Sequence, residues 1–448
     1  MKKAIILLGL LIFTFSGLFA ESITLEQVRS MALANSRTLA RYNLAIQSTT
    51  LDEKTRIYND YIPTPSLGAG ASVNLWNAQG NGPVKNLSDT FSASGNVGVS
   101  ENIFQGGKTL VQKAINALAT ESARKDALNE YFNVLDSADG AYYAVLNASA
   151  SLAAAESALE TSTASLNIAE LRYTNGMINQ ADYLQALADK ESKETSRNQA
   201  KRALALNTSK LRILINANFS PQPQDIDFSA YENLIQRLGS STDDDFNTLY
   251  NQLFGVVSAA NPALAKSMLA SKSAEENVKM AQRGYSPSLD LSFRTGLNYT
   301  KDTGLQYNSG ALSLNVTVPV DFWVTANNVA KSKILSEQTA LDYASQGDQL
   351  VTNLQSALTD ALSNAGSVLS SRRAVDYAEK NFELIQEGYR LNQNSIQDLG
   401  TASDLLYTSR NNLISAQYGF LQSLSALRSL GAMDDDQKLM NMLMGNGN

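Results

Sequence analysis

Large apolar residues recur every seven positions at Leu152, Leu159, Leu166 and Tyr173, and again at Val368, Val375, Phe382 and Tyr389, each 216 residues further on. The intervening Ala155, Ser162 and Ala169 map onto Ser371, Ala378 and Ile385. Each copy therefore keeps the alternating three-and-four spacing of a helix made to lie against other helices. An aspartate follows each stripe, Asp182 in the first copy and Asp398 in the second. A repeat this long is far beyond the roughly 20–50 residues of a solenoid unit, so it reads as a duplicated half-protein.

The rest of the pattern fills in both halves. A helix is expected from Thr24 to about Asp60, opening on the capping pair Thr24 and Gln27 and stopped by Pro63 and Pro65. The period then changes to two. Strands are predicted at about 67–76 and 91–101, where Leu67, Ala69, Ala71 and Val73, then Phe91, Ala93, Val97 and Val99, alternate with Gly, Ser and Asn. A turn-rich stretch from Asn77 to Thr90 joins them. Next comes a helix to about Arg172, interrupted only at Gly140 and on the order of 100 Å long. It breaks at Thr174-Asn175-Gly176, and a returning helix covers about Ala181 to Ile215. Residues 216–245 read as an irregular linker. The cycle then restarts with a helix at about 246–284, strands at about 288–299 and 311–320, a helix at about 326–390 broken at Leu391-Asn392, and a closing helix to about Leu430. The expected organisation is a leader (1–20), a first repeat (21–215), the linker (216–245), a second repeat (246–431) and a flexible tail (432–448).

Composition narrows the function. Lys2 and Lys3, the apolar run Ala4 to Phe15 and the small-residue end at Ala20 read as a secretory signal, with an N-terminal anchor as the alternative. No later window has about 18 uninterrupted apolar residues, so a membrane-inserted mature chain must enter as a barrel. The sequence holds no cysteine and no histidine, which removes thiol chemistry, the commonest general base and the commonest metal ligand. No cofactor is expected, nor is enzymatic activity. The formal charge of -7 argues against nucleic acid as a partner.

Four strands of alternating polarity fit an outer-membrane barrel, apolar to lipid and polar to lumen, or else a small sandwich packed on the helices. Asp290, Arg294 and Asn298 share one face of the third strand and would suit a water-filled lumen. Four strands cannot close a barrel, so the barrel reading requires several copies. Trp76 and Tyr299 are candidate interface aromatics, with exposed loop positions as the alternative.

Several ordered motifs carry a family resemblance. Ile23-Thr24-Leu25-Glu26-Gln27 with Ala32-Leu33-Ala34-Asn35, its echo at Leu253 and Ala260-Asn261-Pro262, the Pro-Ser-Leu strand entries at Pro65 and Pro287, Asn102 to Lys108, and Arg172 to Asp182 together resemble TolC-type outer-membrane efflux proteins over about residues 22–431. The resemblance implies a mainly helical chain with membrane strands, assembled as a homotrimer whose twelve-stranded barrel sits in outer-membrane lipid. Its coiled-coil barrel would cross the periplasm and receive substrates from an inner-membrane pump through a periplasmic adaptor. The resemblance also implies a gate at the hairpin breaks, to which Asp182, Tyr389 and Asp398 correspond. Where relatives can place an arginine that bridges to a neighbouring hairpin, this chain has Asn394. Where a second ring acid can stand it has Thr401, with Asp404 one turn on. A weaker lock and a sparser acidic ring follow. Plain seam packing for Tyr173 and Tyr389, and helix capping for Asp182 and Asp398, are the competing readings. A trimeric coiled-coil stalk with a structural or adhesive role is the competing function.

Overall fold

A computed structural model describes residues 22–73, 76–77, 82–83 and 91–445. The expected leader, the side chain of Trp76 and most of the turn-rich stretch before Thr90 lie outside them.

The chain opens with a short strand β1 (Ser22–Ile23) and helix α1 (Leu25–Asn35), started by the reciprocal Thr24 and Gln27 capping box. The expected single helix is in fact two, because Ser36 adopts an extended conformation before α2 (Arg37–Tyr61). Asn35 favours that break. Its side-chain amide donates to the carbonyls of Met31 and Ile215, at 2.9 and 3.0 Å. Strands β2 (Thr64–Ser72), β3 (Trp76–Asn77), β4 (Gly82–Pro83) and β5 (Ser92–Phe104) lead to helix α3 (Lys108–Thr174) and its return α4 (Gln180–Leu214). Helix α3 runs unbroken through Gly140.

The segment expected to be irregular holds β6 (Gln222–Pro223), a 3-10 turn (Phe228–Tyr231) and helix α5 (Glu232–Gly239), whose Leu234, Ile235 and Leu238 are buried. Its three aspartates begin helix α6 (Asp243–Ala260). Thr242 and Asp245 bond reciprocally there, and negative charge is favoured at a helix N-terminus. Asn261 caps α7 (Pro262–Gln282), with proline in the first turn and a bend of 50° between the two helices. Strands β7 (Ser288–Thr300) and β8 (Gly304–Thr317), helices α8 (Phe322–Arg390) and α9 (Ile396–Leu430), and a last helix α10 (Asp436–Leu443) complete the order. The tail is thus not loose where described: Met433, Leu439 and Leu443 are buried.

The residues divide into two compact units. One comprises residues up to Ser36, Phe132–Leu253 and Gln355 onward; the other comprises Arg37–Tyr131 and Phe254–Leu354. Each sequence half contributes to both. In the first unit, β1 pairs parallel with β6, and the Tyr142 hydroxyl donates to the carbonyl of Gln224 at 2.6 Å. Gly140 sits where α9 comes close, since a Cβ there would lie 2.9 Å from Oε1 of Gln422.

The second unit carries a four-stranded antiparallel sheet in the order β2-β5-β7-β8. On one face Phe293 lies between Val99 and Leu312, and Leu289 pairs with Val316. On the other, Asp290 pairs with Asn102 and Asn315, and Asn298 with Ser94 and Gln306. The apolar face stays uncovered: Leu67 is 86% and Leu312 71% exposed. A sandwich would bury that face, so the sandwich alternative is lost. β8 begins well before the expected Ala311, at Gly304 (φ 67°), because Leu305 and Tyr307 continue the alternation out of phase with Leu312 and Leu314. A bulge opposite Arg294–Gly296 absorbs the change of phase.

Candidate functional site: the two hairpin breaks

The break after α3 and the break after α8 are built alike, from residues of the first unit. Gly176 (φ 70°) and Asn392 (φ 61°) occupy the left-handed position. The amide of Met177 returns to the carbonyl of Arg172 at 2.8 Å, and that of Gln393 to Gly388 at 2.7 Å. This is the same six-to-one closure in both copies. The returning helices start on Asn179 and Ser395, which accept from the amides of Asp182 (2.9 Å) and Asp398 (3.1 Å).

The two aspartates therefore lie in first helical turns, and Asp398 completes a capping box. It accepts from the Ser395 hydroxyl at 2.7 Å and the Ser395 amide at 3.0 Å. Those bonds hold its carboxyl below the usual aspartate value. Asp398 is nonetheless exposed, as is Asp404.

The tyrosines are not equivalent. Tyr173 is 39% exposed and stacks on Tyr183 with centroids 5.2 Å apart. Tyr389 is 2% exposed, and its hydroxyl has no hydrogen-bond partner among the described residues. Arg172 explains how it is held. The guanidinium sits 4.5 Å from the Tyr389 ring centroid and donates to the carbonyls of Tyr389 (2.6 Å) and Arg390 (3.2 Å). A cation from the first hairpin thereby caps the C-terminal end of α8. Asn394, expected to face a neighbouring hairpin, folds back on its own chain. Its side-chain amide donates to the carbonyl of Ile385 at 3.2 Å, and it packs where Gly388 has no side chain.

Lys193 was not legible as a site residue. It lies on α4 with a side chain only 4% exposed, forms an ion pair with Asp404 on α9, and stands 3.8 Å from Asp189. Burial raises the Asp189 carboxyl, with Lys193 opposing the rise and Asp404 adding to it. A cavity of about 70 Å³ separates the hairpins here, lined by Ser162 and Asp189 on one side and Thr401 and Asp404 on the other. Asp404 is therefore not a free ring carboxylate. The sequence alone carried no signal for it: only the structure shows that Lys193 and its counterpart 216 residues on, Ser409, are both buried, where a charge needs a partner. Asp290, Arg294 and Asn298 belong to the second unit and share the polar face of β7. No group of acidic residues able to hold a metal occurs among the described residues. The arrangement offers mechanical links and fixed charge.

Comparison with known proteins defines the class. The model of the outer membrane efflux protein family matches residues 28–217 and 254–432, one match in each half. Outer membrane protein TolC of Escherichia coli (strain K12) is 23% identical over 467 residues, covering 98% of this chain and 88% of that protein. Among solved structures, a CusC crystal structure superposes with a TM-score of 0.74 at 16% identity, covering 91% of each chain. The outer membrane channel CmeC of Campylobacter jejuni gives 0.71 at 16% identity, covering 95% of this chain and 90% of that one. The fold is that of an outer-membrane channel. This chain belongs to the outer membrane efflux protein family. It is a non-enzymatic transport protein of the outer membrane with a periplasmic extension.

Proposed function

We propose that this chain assembles as a homotrimer forming the exit duct of a tripartite efflux or type I secretion system. It passively conducts substrates delivered by an inner-membrane pump and a periplasmic adaptor. The observation that carries this reading is the open sheet, with a bare apolar face, a polar face, and outer edges on β2 and β8 that no strand pairs with among the described residues. Two copies would give eight strands, an interior just wide enough to be filled by side chains, whereas three give twelve and room for a duct. On this reading residues 1–20 are a removed leader, and Asp290, Arg294 and Asn298 line the barrel lumen.

The entrance lies at the hairpin breaks. Asp398 supplies the exposed charge there, and Asp182 lies in the matching first turn of the other hairpin. Tyr389, Asn394 and Asp404 serve to hold the second hairpin, through Arg172, the Ile385 carbonyl and Lys193. Asp404 is paired with Lys193, so the acidic ring is sparse. The lock is not simply weak, since two cations of the first hairpin take it over within one chain.

The assembly is tested by cross-linking. The chain has no cysteine, so Ser66→Cys on β2 and Ser313→Cys on β8 introduce the only thiols. A bismaleimide applied to outer membranes is expected to give species up to a trimer. A soluble monomer, or a ladder ending at the dimer, would overturn the reading.

A further inference from the structure

A buried charge cluster in the first unit takes no part in the proposed entrance. Asp139 on α3 has a fully buried carboxylate that receives four donors. Arg29 on α1 approaches it with two nitrogens, Nε to Oδ1 at 2.6 Å and Nη2 to Oδ2 at 2.9 Å. Arg428 on α9, 2% exposed, donates from Nη2 at 2.8 Å, and the Ser425 hydroxyl donates at 2.7 Å. One carboxylate thus serves two guanidiniums and leaves a surplus positive charge.

Asp436, in the first turn of α10, supplies the missing charge. Its Oδ2 accepts from Arg29 Nη1 at 2.8 Å and its Oδ1 from Arg428 Nη1 at 2.9 Å. The cluster is balanced only with α10 in place. Asp136, one turn before Asp139, makes no ion pair with either guanidinium among the described residues: it accepts from Gln422 at 3.3 Å, and burial raises its carboxyl against the opposing pull of Ser425 and Arg428. The hydroxyls of Tyr143 and Tyr231, which face the same small cavity, bring no compensating charge. Arg428 has no slack either, since its Nε is buried without a hydrogen-bond partner among the described residues. Removing one partner of a buried ion group costs far more than the group contributes when whole, because a bare charge stays behind.

We propose that α10 is a charge-completing clasp, whose docking through Asp436 is what allows α1 to stay docked through Arg29, so that two helices 407 residues apart in sequence dock or release together. Apolar contacts seat the clasp, since Leu439 and Leu443 are buried. Arg237 closes its far end by donating to the Met444 carbonyl at 2.7 Å. Asp436 itself is 45% exposed, which leaves the switch residue within reach of solvent.

The test is limited cleavage of the full chain in outer membranes by a glutamate-specific protease, read at the exposed Glu26 of α1 and not in α10, which has no glutamate. Asp436→Asn should raise α1 cleavage about tenfold, the size of a partly relieved unpaired buried charge. Adding Arg29→Met, which keeps an apolar stem but removes the surplus cation, should bring cleavage at Glu26 back most of the way. Leu439→Ala loosens α10 and takes Asp436 with it, so it should raise cleavage at Glu26 as well, and the same Arg29→Met should lower it again. Unchanged α1 cleavage in Asp436→Asn overturns the clasp. So does cleavage in Asp436→Asn that Arg29→Met fails to bring back, which would reduce α10 to ordinary packing.

Discussion

Gly176 and Asn392 do the same work in the two copies, and the difference between them is measurable. Space around Gly176 is open, so any cost of a side chain there comes from its left-handed backbone alone. Gly176→Val should cost about 1–2 kcal/mol, while Asn392→Gly should be neutral within about 0.5 kcal/mol. Thermal unfolding of the purified protein checks both. A second residue-scale expectation concerns acid. Burial alone would raise the Asp436 carboxyl, but the hydrogen bonds and charges of Arg29 and Arg428 outweigh it and hold the group below its ordinary 3.8. A carboxyl depressed in the fold contributes stability that is fully present above its unfolded value and is lost as pH falls through the folded one. Amide-exchange protection of α1, measured at each pH relative to the intrinsic rate, should therefore fall only below about pH 3.8, and Asp436→Asn should flatten that acid limb.

At the scale of elements, the sheet makes the strongest claim. Leu312 points from β8 onto the uncovered face, so Leu312→Arg should cost about 2–4 kcal/mol if that position lies near the bilayer midplane. Reversible urea unfolding into vesicles would measure it, and a neutral result would remove the face from lipid. The strands were legible because their polarity alternates. The first half of β8 was hidden because the bulge opposite Arg294–Gly296 puts Tyr307 and Leu312 in opposite phase. Long helices were legible from the seven-residue stripe, but which of its two seam rows is buried deeper was not. In the first copy it is the row of small residues Ala155, Ser162 and Ala169, while in the second Val368, Val375 and Tyr389 are buried together with the small Ala378. A period fixes a helix's buried stripe only when the partner is known. The short helices α5 and α10 were missed because eight residues hold too few turns to show a period. The cations that fasten the hairpins escaped for another reason. Arg172 and Lys193 meet partners 217 and 211 residues away, and only folding brings those together.

For the whole molecule, a duplicated chain has become two different hairpins, one supplying cations and the other receiving them. If those links hold the entrance, Lys193→Met should raise the conductance of reconstituted protein several-fold while leaving its assembly intact. An unchanged conductance would return Lys193 to a purely structural part. The central claim, that the assembled chain is a duct, is tested most directly by adding the purified assembly to a planar lipid bilayer and recording single-channel current. Discrete, uniform conductance steps are predicted. An assembly that inserts into the bilayer yet passes no current, as a solid stalk would, contradicts the account.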